Sequence, residues 1–291
     1  MPIFQIKNKK ADQVFLDINH FNNEFELRDF FADNLEQLLG MRFLAVEYPT
    51  TDGRIDTLAI DEANSPVIIE YKWGQDNAIF VQGLFYLDWL KNNKRHFDLL
   101  VANKFGKEEK VNWTSPRVIL VAQGFDNRTI TAVQQVENVE LIKYVPYKQD
   151  ILYLENVYVP SKSKKIKEDG VQIKAEGESY DINYHLSKAS KEIKEIFYSL
   201  EEKIKLLPNA NEIINQKTGI TYRTTRSFAF FQFGKSYIDI QLREPKYNDP
   251  KNLVKDITHL KFGYKGLTKI KSMKDVDYIF GLIKQAYEKT L

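Results

Sequence analysis

The chain has 291 residues, 43% hydrophobic and 28% charged, with 16 Tyr and 19 Phe, which is enough for two domains and a sizeable core. It has no cysteine, which excludes disulfides, thiolate metal sites and a cysteine nucleophile and favours a reducing compartment. The amino terminus lacks the apolar stretch of a signal peptide, and no apolar run reaches the ~20 residues of a membrane helix. The sequence therefore predicts a soluble, cytoplasmic protein without membrane contact.

The charge is divided unevenly along the chain. The net charge is +2, but residues 1–159 hold 17 Lys and Arg against 23 Asp and Glu, whereas residues 160–291 hold 25 against 17. The first part therefore carries a net charge of −6 and the second a net charge of +8. If a polyanion binds this protein, the second part is the expected source of the electrostatic attraction.

The first predicted helix comes from EFELRDFFADNLEQLLG, residues 24–40, where apolar residues recur at helical spacing and Gly40 is a stop signal. Asn23 and Glu26 stand three apart at its start, as in a capping box. One role for Glu26 is therefore to bind a terminal backbone N–H. Residues 43–48 are predicted to form a strand that leads into a hairpin.

A β-hairpin is predicted at the centre of the first domain. Its strands are Arg54–Ile60 and residues 67–73, which are rich in Ile, Val, Leu and Thr and are joined by the turn-forming run DEANSP. Both faces are largely apolar, as in strands that are covered on both sides. Alternation puts Ile55 on one face and places a larger set together on the other: Asp56, Leu58, Ile60, Ile68, Glu70 and Lys72.

Asp56, Glu70 and Lys72 gather charge at one end of this hairpin. Burying an unpaired charge costs several kcal/mol, so such groups persist where they pair, bind a metal or do chemistry. A salt bridge from Lys72 to either acid is the structural explanation that the strands alone leave open.

Residues 76–93 are predicted to form the next helix, with Gln82 and Tyr86 one turn apart on one face. A solvated position for Gln82 and core packing for Tyr86 are the alternatives to a functional role. The rest of the domain is predicted as strands of a covered sheet, at residues 99–102, Arg117–Ala122, 141–147 and 151–159.

The composition changes at Pro160, where SKSKKIKEDG offers little to bury. The sequence therefore predicts a first domain over residues 1–159, a charged linker over 160–184 and a second, α+β domain over 185–291. The second domain is predicted to contain a helix ended by Pro208, strands at residues 220–225, 228–233 and 237–243, and a final helix after Ser272.

One strand of the second domain carries a polar set on one face. Two explanations are open: a basic surface with an aromatic ring for base stacking, or an ordinary solvated strand face. The set consists of Tyr237, Asp239, Gln241 and Arg243, followed in the sequence by Lys261, Lys265, Lys269 and Lys271.

Three motifs in chain order, Ile55-Asp56, Glu70-x-Lys72 and Gln82-x-x-x-Tyr86, resemble the nuclease superfamily named for its PD-(D/E)xK motif. The third is similar to the extra motif of the RecB-like branch, and GRIDTLAID…VIIEYK is similar to NucS-type endonucleases. Ile55 replaces the Pro of the motif and leaves the carboxylate in place. The likeness covers roughly residues 20–125 and implies an α/β fold with a restriction-endonuclease-like mixed sheet flanked by helices. The smaller α+β domain resembles a domain of unknown function.

The resemblance implies a magnesium site. Asp56 and Glu70 would hold Mg²⁺, with Mn²⁺ as a substitute, and the backbone carbonyl of Tyr71 would be a further ligand. Lys72 would stabilise negative charge on the phosphate or orient the attacking water.

The resemblance also implies supporting residues. Glu26 would complete the site, with Glu24 as the alternative because the phase of a helix is uncertain by a residue or two at a fraying end. Gln82 and Tyr86 would steady Lys72 or contact the nucleic-acid backbone. Arg54 is a further candidate for a phosphate contact.

The resemblance implies a metal-dependent endodeoxyribonuclease, a hydrolase that cleaves phosphodiester bonds in DNA. Two alternatives stay open: a nucleic-acid-binding protein with a degenerate site, and a regulatory or protein-interaction module in which the charges form a structural salt bridge. A homodimer would supply the two sites that a double-strand cut needs. The four histidines are scattered without ligand spacing, which disfavours zinc.

Overall fold

The computed structural model describes residues 2–74, 78–160, 180–213, 218–259 and 263–291. Backbone contacts divide the chain into two units, Met1–Val159 and Pro160–Leu291. The predicted linker, residues 160–184, lies mostly outside the described residues. In its last part Tyr180 is buried, and a short helix begins at Ile182.

The first unit is built on a six-stranded mixed sheet. A small hairpin, β1 (Ile3–Lys7) and β2 (Lys10–Val14), comes first in the chain. The large sheet contains, side by side, β3 (Arg42–Pro49), β4 (Arg54–Ile60), β5 (Pro66–Lys72), β6 (Arg117–Ala122), β7 (Val139–Tyr147) and β8 (Ile151–Tyr158). Strands β5, β6 and β7 are parallel, and the other neighbours are antiparallel. The helices are α1 (Glu24–Asp33), α2 (Leu35–Leu39), α3 (Ala78–Asn92), α4 (Lys94–Phe105) and α5 (Asn127–Val133).

Apolar side chains cover both faces of this sheet. On one face, Leu58 and Ile68 of the central hairpin share a buried cluster with Leu87 of α3. On the other face, Ile69 shares a cluster with Phe31 of α1. Each fully buried side chain of this size contributes about 1.5–3 kcal/mol, which explains why the central strands read as nearly continuous apolar runs.

One predicted strand of the first unit is wrong. Residues 99–102 lie inside α4, where Phe97 and Val101 are buried four residues apart and Leu99 is exposed. A short apolar run does not distinguish a buried strand from a helical segment. Here the buried positions are one helical turn apart, which identifies the segment as a helix. The two strands predicted for the hairpin and the strand predicted at Arg117–Ala122 are confirmed.

The second unit is an α+β domain. Its antiparallel sheet consists of β9 (Asn211–Ile213), β10 (Ile220–Arg223), β11 (Ser227–Phe233), β12 (Ile238–Leu242), β13 (Lys255–Asp256) and β14 (Gly266–Ile270), in the spatial order β13-β14-β12-β11-β10-β9. The helices are α6 (Ile182–His185), α7 (Lys191–Lys205) and α8 (Val276–Glu288). Side chains of α7 and α8, including Phe197 and Ile283, share one buried cluster with the sheet residues Tyr222 and Phe231.

The fold class expected from the sequence is confirmed, because a mixed sheet flanked by helices is followed by a smaller α+β domain. Along the described part of the chain, no helix combines the length and apolar character that crossing a bilayer requires.

Candidate active site

Strands β4 and β5 bring Asp56 and Glu70 together. Regular pairing of the two strands runs from Ile60↔Pro66 to Thr57↔Ile69. Beyond it, the backbone N–H of Asp56 donates to Glu70 Oε1 at 3.1 Å, and the N–H of Tyr71 donates to Asp56 Oδ2 at 3.0 Å. Each carboxylate is therefore fixed by a backbone amide, and the two acids have a defined mutual position.

The strict alternation predicted for β4 is interrupted at this point. Ile55 was expected on the face opposite Leu58 and Ile60, yet all three belong to the same apolar cluster. The interruption lies between Ile55 and Leu58, where the described pairing of β4 with β5 ends. Asp56 therefore occupies an irregular strand end, and its carboxylate accepts from the N–H of Tyr71 on the neighbouring strand.

Burial makes ionisation of both acids unfavourable. Glu70 is fully buried, and burial, followed by the charge of Asp56, raises its pKa well above the ordinary value. Burial raises the pKa of Asp56 to about 6, and the charge of Glu24 adds to this increase. Within the described part of the chain, Glu70 Oε2 is buried without a hydrogen-bond partner.

Lys72 is paired with Glu24 rather than with Asp56 or Glu70. Its Nζ lies 2.9 Å from Glu24 Oε1, and Glu24 Oε2 also accepts from the backbone N–H of Trp73 at 3.4 Å. The salt bridge predicted from Lys72 to Asp56 or Glu70 is therefore replaced by one to α1. Lys72 lies two residues after Glu70 on β5, so it shares the same end of the strand.

The position predicted for Glu26 is taken by Glu24. The Glu26 carboxylate accepts from the backbone and side-chain nitrogens of Asn22 at 2.9 and 2.8 Å, and its own N–H donates to Asn23. These hydrogen bonds lower the pKa of Glu26. Glu26 is therefore a capping residue, and the first turn of α1 directs Glu24 to Lys72.

This difference between the two glutamates gives a direct test. Glu24→Gln is expected to increase the rate at which Lys72 is acetylated by about two- to fivefold, because the loss of a partly exposed ion pair of ~0.5–1 kcal/mol makes the amine more reactive. The rate is measured by mass spectrometry after brief exposure to acetic anhydride. Glu26→Gln is the matched control and should leave the rate unchanged; an equal increase in both variants would contradict the assignment.

Arg28 and Glu47 border the two acids and were not predicted. Arg28 is buried on α1, and its guanidinium pairs with Glu47 and with Asp29. Glu47 also lies 3.4 Å from Arg54 and has a φ of 52°, which non-glycine residues rarely adopt. The charge of Glu47 contributes to the raised pKa of Asp56. One sequence signal was available, since Arg28 follows Glu24 by one helical turn.

Tyr86 positions the start of β4. Its hydroxyl accepts from the backbone N–H of Arg54 at 3.0 Å, and its ring is part of the core. A Cβ at Gly53 would lie 2.5 Å from that hydroxyl, and Gly53 has a φ of +106°, so glycine is required there. Gln82 is half-buried. The steadying of Lys72 by Gln82 and Tyr86 stays a prediction.

Tyr71 contributes its backbone N–H to Asp56, whereas its ring is buried and packs on Phe31 with centroids 5.4 Å apart. The role of its carbonyl as a ligand stays a prediction. Among the described residues, no group of three or more His, Asp or Glu side chains is placed to hold a metal ion. Mg²⁺ is commonly bound through only one or two carboxylates together with water and substrate oxygens. Asp56 and Glu70, with the unpartnered Glu70 Oε2, fit that donor set.

The fold and site define an α/β unit with a buried carboxylate, a half-buried carboxylate and a lysine at one strand end, followed by an α+β domain. The chain is 30% identical over 303 residues to a Haemophilus influenzae protein described as "Uncharacterized protein", an alignment that covers 98% of this chain and 99% of the relative. The chain belongs to the family of that protein. Residues 182–290 match the family described as "Domain of unknown function (DUF5655)", which confirms the resemblance predicted for the C-terminal domain.

Two solved structures are similar to part of the chain. A repair endonuclease from Pyrococcus abyssi matches with a TM-score of 0.28 and 19% identity, over 40% of this chain and 43% of that chain. A structure described as an EndoMS-dsDNA2 complex matches with a TM-score of 0.25 and 13% identity, over 46% and 60% of the two chains. Each match spans less than two thirds of the solved chain, 43% and 60% respectively. Any function of this protein must therefore be argued from its own residues.

Proposed function

We propose that this protein is a metal-dependent endonuclease that hydrolyses phosphodiester bonds in DNA. The observation that carries the proposal is the pair of the half-buried Asp56 and the buried Glu70, with Lys72 at the same strand end and Glu70 Oε2 unpartnered in the described structure. The proposal includes Mg²⁺ as the metal, DNA as the substrate, a homodimer and a cytoplasmic location.

Electrostatics supports a cation at this pair. Poor solvation raises the pKa of both carboxylates, and the charge of Asp56 adds to the increase at Glu70, so the charged state of the pair is destabilised. A divalent cation would reverse this effect, with Asp56, Glu70 and the Tyr71 carbonyl as ligands. When bound, such an ion supplies polarisation of the phosphate and a more acidic water.

The remaining residues have roles that follow from their contacts. Lys72 is held by Glu24, and its ammonium would stabilise charge that develops on a phosphate oxygen at this strand end. Tyr86 acts as a positioning residue, because it fixes the backbone two residues before Asp56. A contact of Gln82 or Arg54 with the nucleic-acid backbone is part of the proposal, since Arg54 is exposed and Gln82 is half-buried.

Cleavage by the full chain tests the proposal. Supercoiled, linear and single-stranded DNA are incubated with increasing Mg²⁺ and then Mn²⁺. The wild type is expected to cleave only with metal, and Glu70→Gln and Lys72→Met should each lose roughly 10²–10³-fold in rate, as removal of one charge-stabilising group does elsewhere. Lys91→Met, which removes an exposed lysine of α3, is the matched control and should cleave like the wild type.

The outcomes separate the alternatives. Cleavage that survives combined Asp56→Ala and Glu70→Ala would overturn the proposal. DNA binding without cleavage in any divalent metal would favour a degenerate site. Indifference of the folded protein to both metal and DNA would favour a regulatory or protein-interaction module, with Lys72 and Glu24 as a structural salt bridge.

A further inference from the structure

A buried arginine in the second unit has no counter-charge in the described structure. Arg243 directly follows β12 and is only 5% exposed. Its Nη1 is buried without a hydrogen-bond partner, and no ion pair involving Arg243 occurs among the described residues. The polar strand face predicted from the sequence is therefore not simply solvated: Gln241 and Arg243 are buried, whereas Asp239 pairs with Lys269 at 3.0 Å.

A second unpartnered donor lies on the neighbouring strand. The backbone N–H of Arg243 donates to the carbonyl of Phe228 at 3.2 Å, which places Arg243 beside the start of β11. Ser227, the residue before Phe228, is 1% exposed, and its Oγ has no partner within the described ranges. On the other side of β11, Arg223 of β10 is paired in register with Ser227 and is also buried. Two arginines therefore flank Ser227 from adjacent strands.

Arg243 and Ser227 both lack an acceptor oxygen in the described structure, whereas Arg223 donates to the carbonyls of Thr224 and Thr225 at 3.4 and 3.2 Å. A guanidinium does not lose its proton in proteins and has five N–H donors but no acceptor. A buried, unpaired charge of this kind destabilises the fold unless an anion compensates it. Phosphate oxygens match the planar donor geometry of arginine and also accept from hydroxyl groups. The net charge of +8 over residues 160–291 attracts such an anion to this part of the chain.

We propose that Arg243 and Ser227, flanked by Arg223, form a binding site for a phosphoryl group in the second unit. The phosphoryl group belongs either to a nucleic-acid strand or to a free nucleotide or phosphate. Binding here requires neither metal nor cleavage, so the site at Asp56 and this one can fail independently.

Calorimetric titration of the full chain with inorganic phosphate tests this site. Arg243→Met is expected to weaken phosphate binding roughly tenfold or more, as the loss of a charge-assisted hydrogen bond does. Arg226→Met removes the same charge three residues after Arg223, at a half-buried side chain that donates to the carbonyl of Lys289, and should bind phosphate like the wild type. Hydrogen exchange locates the site, because phosphate should slow exchange in peptides of β10–β12 in the wild type and not in Arg243→Met.

Two further measurements complete the test. A single-stranded oligonucleotide that competes with phosphate in the wild type identifies a nucleic-acid strand as the source, whereas phosphate or nucleotide binding without such competition identifies a small molecule. In anion-free buffer, Arg243→Met should exchange more slowly than the wild type in β11 and β12, because an unpaired buried charge has been removed. Absence of any phosphate binding by the wild type, equal binding by Arg243→Met, or acetate binding as tightly as phosphate would overturn the proposal.

Discussion

Replacing Asp56 with Asn is expected to abolish metal-dependent cleavage and to stabilise the metal-free first unit by about 1–2 kcal/mol above pH 6. The two effects have one cause. Burial raises the pKa of Asp56 from 3.8 to about 6, so the folded state disfavours its charge. Asn keeps an oxygen that can accept from the N–H of Tyr71 but carries no charge. A residue kept for catalysis is expected to show this opposition between activity and stability.

The stability gained by Asp56→Asn is expected to depend on pH. Between about pH 4 and 6 the folded state holds the Asp56 proton that the unfolded state has lost, so this group makes the wild type less stable as the pH rises. Asp56→Asn removes that slope, and the difference between the two proteins should be small at pH 4 and largest above pH 6. Urea unfolding in EDTA, followed by tryptophan fluorescence, reports on the first unit alone, because Trp73, Trp89 and Trp113 all lie there.

Added Mn²⁺ distinguishes a metal site from a simple buried acid. The wild type should gain stability with Mn²⁺, because the ion binds the folded state, and Asp56→Asn should not. Asp33→Asn, at an exposed position of α1, is the matched control and should follow the wild type in both buffers. If Asp56→Asn is less stable than the wild type at pH 8 without metal, the charge of Asp56 does not destabilise the folded state.

Arg117→Met is expected to destabilise the first unit by about 3–5 kcal/mol, because it removes the guanidinium that pairs with two buried carboxylates. Arg117 begins β6 and pairs with Asp61, which follows β4, and with Glu140 of β7 at 2.9 Å. Both acids are almost completely buried. This cluster joins three strands at the end of the sheet opposite Asp56, so its effect should fall on stability rather than on metal binding.

The same tryptophan measurement tests this expectation. Arg95→Met, at an exposed position of α4, removes an equal charge and should change the free energy of unfolding by no more than about 0.5 kcal/mol. Combining Arg117→Met with Asp61→Asn and Glu140→Gln should recover part of the loss, because the uncompensated charges are then removed. A loss of less than 1 kcal/mol in Arg117→Met alone would show that water or rearrangement compensates the acids.

The two charged clusters of the first unit differ in how far the sequence predicted them. The strands that carry Asp56, Glu70 and Lys72 followed from β-branched runs and a turn signal. No sequence motif includes Arg117, Asp61 and Glu140, because these residues meet only when β4, β6 and β7 are assembled in one sheet. Arg28 and Glu47 are a similar case, since 19 residues and a change of secondary structure separate them.

The sequence by itself determined the features that depend on neighbours within a few residues. These include the hairpin, the Asn23 cap of α1 and the apolar stripes of the helices. Tertiary structure decided three further points: Glu24 rather than Glu26 reaches Lys72, residues 99–102 are helical, and Arg243 is buried. The physical reason is common to all three. Periodicity specifies which side chains share a face, whereas the rotation and packing of one element on another decide what that face contacts.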